Sequence, residues 1–212
     1  MQTNSAGVVT NSYYSYVTNV TFYDYRESDT VQAVQISVTN LNRWLAGAGS
    51  TYNSKNTTGS TSKGHPINSV YVFNNVPLSS TTLPAVRLVD GAKLPSAGLT
   101  VSTPQPLYVK GDYNTTTNGV NFALSQGSTT NGNTVPAALM GDSITVLSRA
   151  WQDSYDANTA VGDRDAVPTT INAAALEGIV QSTLSGNNKK IQRRFGKLSP
   201  LVGRLEQPNP DL

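Results

Sequence analysis

Three sets of side chains in this 212-residue chain have the types that chemistry needs. Asp112 and Asp142 each follow a glycine, in Lys-Gly-Asp and Met-Gly-Asp. If their strands are neighbours, the two carboxylates can stack, share a cation or divide acid and base work. Asp after Gly also makes an ordinary solvated corner, its carboxylate accepting from a turn N–H. His65, in Lys-Gly-His-Pro, is the single histidine. A Ser-His-Asp triad would need it as the base, and a metal site of several histidines is excluded. At a loop end, a plain exposed histidine is far commoner than a catalytic one. Asp153, Asp156, Asp163 and Asp165 lie in DSYDANTAVGDRD. This acidic stretch is a candidate for weak Ca²⁺ binding, although it lacks the Gly and Glu spacing of an EF-hand loop. A solvated loop accounts for it without a metal.

The familiar cofactor signatures are missing. There is no P-loop, no G-x-G-x-x-G and no G-x-S-x-G, so no cofactor is expected. The chain has no cysteine, which removes disulfides, thiolate metal ligands and a Cys nucleophile. The formal charge of +2 makes no case for nucleic acid. The basic residues gather late, at Lys189, Lys190, Arg193, Arg194, Lys197 and Arg204. No apolar run approaches the length of a membrane span, so no membrane insertion is expected. The polar start Met-Gln-Thr-Asn-Ser does not read as a signal peptide.

The elements that would position these residues read as β-structure. Only 13% of the chain is charged and 37% is hydrophobic, with Ser, Thr, Asn and Gly filling the remainder. Residues 13–25 (YYSYVTNVTFYDY) carry the β-branched and aromatic types of a strand or hairpin. Their tyrosines, Tyr13, Tyr14, Tyr16, Tyr23 and Tyr25, would serve either a sugar or cross-strand packing. Residues 31–38 alternate, with Val31, Ala33 or Val34, Ile36 and Val38 as one apolar face. Asn40 then caps a short helix, LNRWLAG, whose stripe is Leu41, Trp44 and Leu45.

Residues 47–64 read as a polar linker. Beyond it, short apolar runs recur at 67–73, 85–89, 99–101, 107–109, 138–147 and 171–180, punctuated by Gly, Pro and Asn. This rhythm predicts a mainly β chain built as a short-strand, parallel β-helix-like solenoid, with a β-sandwich as the alternative. Leu107, Val109, Ile144 and Val146 are expected in its core. Residues 112–134 read as a loop-rich excursion, and 148–155 (SRAWQDSY) as a second short covering helix. Trp44 and Trp151 are expected to be largely buried. The division is therefore 1–46 (strands and helix), 47–64 (linker), 65–188 (solenoid-like body) and 189–212 (basic tail).

Four segments carry a resemblance: FYDYRESDTVQAVQISVTNLNRWL, KGHPINSVYVFNN, LPAVRLVDGAKLPSAGLTVSTPQPLYVKGDYN and AALMGDSITVLSRAWQDS. Together, over roughly residues 8–188, they resemble large bacterial surface proteins with a PilX-like, prepilin-type N-terminus and a β-helix-like body. No catalytic motif comes with the resemblance. It implies a non-catalytic structural or adhesive module of an exported, pilus-associated or cell-surface protein. Its partners would be other surface or pilus proteins or a polysaccharide. The prepilin-type helix itself is not in this chain, and any export signal would lie outside it.

The tail departs from the family, whose members continue with a segment like Tyr-Ser-Gly-Gly-Leu-Glu-Asn-Phe-Leu-Arg. This chain reads Ile191-Gln-Arg-Arg-Phe-Gly-Lys-Leu-Ser-Pro. Encoded as ATA CAG CGG CGG TTT GGA AAA CTT TCT CCG, the tail reads as the family segment when started one base later. A run of A at Lys189-Lys190 is a natural slip point. Residues from about 190 onward are therefore expected to be a frameshifted ending.

Two other functions compete. One is a weak hydrolase or carbohydrate-active β-helix using Asp112, Asp142 and His65. The other is a sugar-binding module, which would need an exposed aromatic strip.

Overall fold

The computed structural model describes residues 2–3, 9–10, 14–46, 66–117, 120–121 and 134–178. His65, the 47–64 linker and the 189–212 tail lie outside the described residues, as does most of the 112–134 excursion.

Along the chain come β1 (Gln2–Thr3), β2 (Val9–Thr10), β3 (Val17–Asp24), β4 (Asp29–Ser37) and the helix α1 (Val38–Ala46). They are followed by β5 (Ser69–Tyr71), β6 (Thr82–Val89), β7 (Leu99–Ser102) and β8 (Leu107–Lys110). Next come β9 (Thr116–Thr117), β10 (Val120–Asn121), β11 (Ala137–Gly141), β12 (Ile144–Leu147), a 3-10 turn at Val161–Asp163, and β13 (Ala174–Glu177).

The strands β3 to β8 and β11 to β13 make two sheets. One is five-stranded, ordered β12-β8-β6-β4-β3; the other is four-stranded, ordered β13-β11-β7-β5. Every ladder in the two sheets is parallel except β3–β4. From β5 onward the chain alternates between them. β5, β7, β11 and β13 go to the smaller sheet, and β6, β8 and β12 to the larger. Each visit lays down the next strand beside the last. The mainly β expectation therefore holds, with parallel sheets. The ladders of an ordinary antiparallel sandwich occur among the described strands only at β1–β2, β3–β4 and β9–β10. Of the strands within 1–46, β3 and β4 belong to the same sheet as β6, β8 and β12, because β4 pairs with β6 from Thr30↔Thr82 to Ser37↔Val89.

Strand alternation explains where the core sits. Ile36, Val86, Leu88, Leu107 and Val109 of the larger sheet pack with Leu99, Val101 and Leu139 of the smaller one. The opposite face of the larger sheet is covered too: Phe22, Val31, Ala33, Leu83, Ala85, Tyr108 and Leu147 form a second apolar cluster. Val31 pairs with Leu83 and Ala33 with Ala85, while Val34 pairs with Val86 and Ile36 with Leu88. β4 thus serves two cores, where its sequence reads as having one apolar face. β6 is buried along nearly its whole length for the same reason.

Two helix expectations need correction. α1 starts at Val38, with the Ser37 hydroxyl accepting the Asn40 N–H. Ser37 is the N-cap and Asn40 lies inside the first turn. Residues 148–155 form turns, not a helix: Ser148 Oγ accepts the Ala150 N–H and its carbonyl accepts the Trp151 N–H. One or two turns do not repay helix nucleation, and the local hydrogen bonds of Ser148 compete with it. Trp44 and Trp151 are both only half-buried. Of the four expected core residues, Leu107 and Val109 are fully buried and Ile144 partly, but Val146 is 50% exposed. Val146 pairs with Val109 at the last strand of the sheet, where no further strand follows among the described residues.

The corners are tied by buried amides. Asn74 Nδ2 donates to the carbonyls of Gln32 and Ala85, at 2.7 and 3.0 Å. Gln105 Nε2 donates to the Asn74 carbonyl at 2.8 Å, and its Oε1 accepts the Asn74 N–H at 2.8 Å. Asn114 Nδ2 donates to the carbonyls of Val135 and Asn172, both at 2.8 Å. Asn114 has φ 58, a left-handed conformation that Asn adopts more readily than most residues. Gly98, at φ 88, needs the same freedom and sits where a Cβ would run into the Pro136 carbonyl.

Candidate functional site

The carboxylates proposed as a pair are not brought together. Asp142 precedes β12 and Asp112 follows β8, and these strands pair in register from Ile144↔Leu107 to Leu147↔Lys110. The two residues therefore sit at opposite ends of one strand pair, whose four residues rise about 13 Å. Asp112 is engaged locally: Oδ1 accepts the Thr170 N–H at 2.9 Å, and Oδ2 lies 3.5 Å from Arg149 Nη1. The Asp142 backbone donates to Gln105 and accepts from Gly178. Asp142 thus shares a corner with Gln105, and Asp112 belongs to the opposite one.

The acidic loop is likewise dispersed. Asp153 pairs with Arg87. Asp156 Oδ1 accepts from the Asn158 N–H and the Thr159 hydroxyl, a self-contained turn. Asp163 lies in the 3-10 turn, and Asp165 is exposed. Among the described residues, no group of three His, Asp or Glu is arranged to hold a metal.

The loop between β12 and β13 has a different role. It lies over the outer face of the larger sheet and carries Trp151 and Asp153 onto it. Arg87 projects from β6, 2% exposed, and donates to Asp153 Oδ1 at 2.6 Å and Oδ2 at 2.7 Å. The same guanidinium donates to Gln35 Oε1 at 2.8 and 2.6 Å and lies 4.8 Å from the Phe22 ring centre. Arg87 holds the Asp153 carboxyl below the usual aspartate range, chiefly by these hydrogen bonds, against a partial burial that pushes the other way.

Beside this clasp lies a cavity of about 280 Å³, lined by Phe22, Tyr25, Tyr108, Trp151, Tyr155 and Arg164, among others. Trp151 meets Phe22, Tyr25 and Tyr155 edge to face, with ring centres 6.2, 6.1 and 5.5 Å apart. The Arg164 guanidinium stacks 3.6 Å from the centre of the Tyr25 ring. At the floor, buried Tyr108 donates its hydroxyl to Asp24 Oδ2 at 2.5 Å. Burial pushes this phenol well above its ordinary range, and the Asp24 charge adds to the effect. Asp24 Oδ1 accepts the Arg26 and Glu27 N–H groups, and Arg26 donates to the Thr145 hydroxyl at the rim.

A second hollow, about 510 Å³, has Asp153 in its wall together with Arg87, Lys110, Asp112 and Arg149. Lys110 stands 3.9 Å from Asp153.

Tyr13 lies outside the described residues, and the other early tyrosines divide between two places. Tyr14 and Tyr16 stack at 5.3 Å, nearly parallel, against Trp44. Tyr23 and Tyr25 meet edge to face at the aromatic cavity. Sequence reasoning missed the assembly of Tyr25 with Trp151 and Tyr155. The only local signal is that FYDY and AWQDSY each carry paired aromatics. No protein-family model, curated protein or solved structure matches this chain.

Proposed function

We propose that this chain is a non-catalytic structural or adhesive module of an exported, cell-surface bacterial protein. The observation that carries the reading is the alternation of the chain between two parallel sheets. Each passage adds one strand to each sheet, so the body reads as a short-strand β-solenoid, a quasi-linear stack in which neighbouring turns bury one another's apolar faces. Such a body supplies rigid length and a ladder surface, which a surface filament or adhesin uses. The amide ties of Asn74, Gln105 and Asn114 at the corners support this reading. So does the resemblance to PilX-like, prepilin-type surface proteins. The weak-hydrolase alternative depends on Asp112 and Asp142 acting together, and their opposite corners weigh against it.

The test is made on intact cells that encode the chain. A membrane-impermeant amine label, or protease applied from outside, is expected to reach the protein before lysis. Modification only after lysis would overturn the surface reading.

A further inference from the structure

We propose that the aromatic cavity on the outer face of the larger sheet is a seat for a neutral saccharide, one or two rings of an uncharged glycan. The inference deepens the adhesive reading and rests on it for its biological sense. Its chemistry stands on the cavity alone.

The lining is amphipathic in the way a sugar is. A pyranose has C–H faces that pack on aromatic rings and a perimeter of hydroxyls that both donate and accept. Trp151, Tyr25 and Tyr155 are half-buried and line the cavity, with Arg164 over one face of Tyr25. Buried Phe22 and Tyr108 close the floor. Hydrogen-bonding groups line it as well: the Thr145 hydroxyl, the Arg26 and Arg164 guanidiniums and the Asp165 carboxylate. Guanidinium and carboxylate groups are the side chains that engage adjacent hydroxyls two at a time.

Charge selects within the saccharides. The cavity's ionised residues are Arg26 and Arg164 against Asp24 and Asp165, which cancel. Around the neighbouring hollow, Arg87, Lys110 and Arg149 face Asp90, Asp112 and Asp153, which cancel as well. Within that set Arg87 and Lys110 lie against Asp153, and Arg149 against Asp112. An anionic polymer would have to pull these pairs apart and would find no surplus of positive charge. A neutral glycan meets no such cost. The volume of about 280 Å³ lies just under the usual range of small-molecule pockets, which suits a short stretch of glycan and not a folded partner.

The chain has two tryptophans, so Trp44→Phe leaves Trp151 as the sole indole reporter, inside the cavity. This full-length variant would be titrated with neutral oligosaccharides (gluco-, manno-, xylo- and N-acetylglucosamine series) and with uronate oligosaccharides. At least one neutral series is expected to give a saturable change in Trp151 fluorescence. Tyr155→Ala and Asp165→Asn are each expected to weaken that binding by at least about fivefold. Asp165 is exposed, so Asp165→Asn keeps the fold even if Tyr155→Ala disturbs the loop. The proposal is overturned if no neutral series binds, if only uronates bind, or if Asp165→Asn binds as the parent does. Surface labelling of cells does not depend on a ligand, so failure here leaves the structural reading separately decidable.

Discussion

Arg87 on β6 holds Asp153 of the covering loop through paired hydrogen bonds of 2.6 and 2.7 Å, although 66 residues separate them in sequence. This clasp fixes the loop over the outer face, and both of its residues line the larger hollow. Asp153→Asn removes the charge and one of the two acceptor oxygens that face the buried guanidinium. It should destabilise the fold by about 1–3 kcal/mol, less than a fully buried pair would show because Asp153 is one-third exposed.

The same pair carries an acid dependence. Arg87 lowers the Asp153 pKa from its ordinary 3.8. A depressed carboxyl contributes stability that is complete above the ordinary value and disappears as pH falls through the lowered one. The difference in urea midpoint between parent and Asp153→Asn should thus be constant around neutrality and shrink as pH falls below the ordinary 3.8. A difference that persists at full protonation would mean that packing, not charge, holds the loop.

Tyr108 and Asp24 give the opposite sign. The phenol is raised from its ordinary 10.0 by burial and by Asp24. Its contribution is complete below that value and is lost as pH climbs past it, because only the unfolded chain then releases the proton readily. Tyr108→Phe should destabilise by about 1–3 kcal/mol near neutrality. Its gap to the parent should shrink above about pH 10, as followed by denaturant midpoints at increasing pH.

Asn74→Ala tests the corners. It leaves the buried carbonyl of Ala85 and the part-buried carbonyl of Gln32 without their side-chain donor. A loss of about 2–4 kcal/mol is expected, with slower-exchanging amides of β4 and β6 becoming exposed in hydrogen exchange. A loss under about 0.5 kcal/mol would reduce the amide tie to a surface contact.

The two tryptophans should behave as half-buried anchors. Trp44→Ala and Trp151→Ala are each expected to cost about 1.5–3 kcal/mol, short of the loss from a fully enclosed indole. Thermal or denaturant melts of the two variants check this.

Alternation and punctuation made most of the strands legible. The clean period over residues 31–38 became β4 up to Ser37, with Val38 opening α1, and the Gly- and Pro-bounded runs became β6, β7, β8, β11 and β12. What alternation cannot say is whether both faces of a strand are covered. That depended on Trp151 and Asp153 returning from a loop far along the chain to cover the outer face of β4, β6 and β8. Val146 shows the converse. Its type and spacing match Val109, yet it occupies the final strand, where nothing among the sheet's strands continues the stack. The carboxylate pair looked equivalent because Asp112 and Asp142 share a Gly-Asp context. Register is a long-range property, and it put them at opposite corners. The aromatic cavity was hidden for the same reason, since its walls come from β3, β8, β12 and the loop after it.

The central claim, that this chain acts as a structural or adhesive module without catalysing a reaction, is tested most directly by a degradation assay. Purified full-length chain would be incubated with neutral and acidic polysaccharides, with Asp112→Asn and Asp142→Asn variants alongside, and new reducing ends counted over time. The account predicts no release above the protein-free control for parent or variants. Release by the parent that either substitution abolishes, with the fold intact, would contradict it.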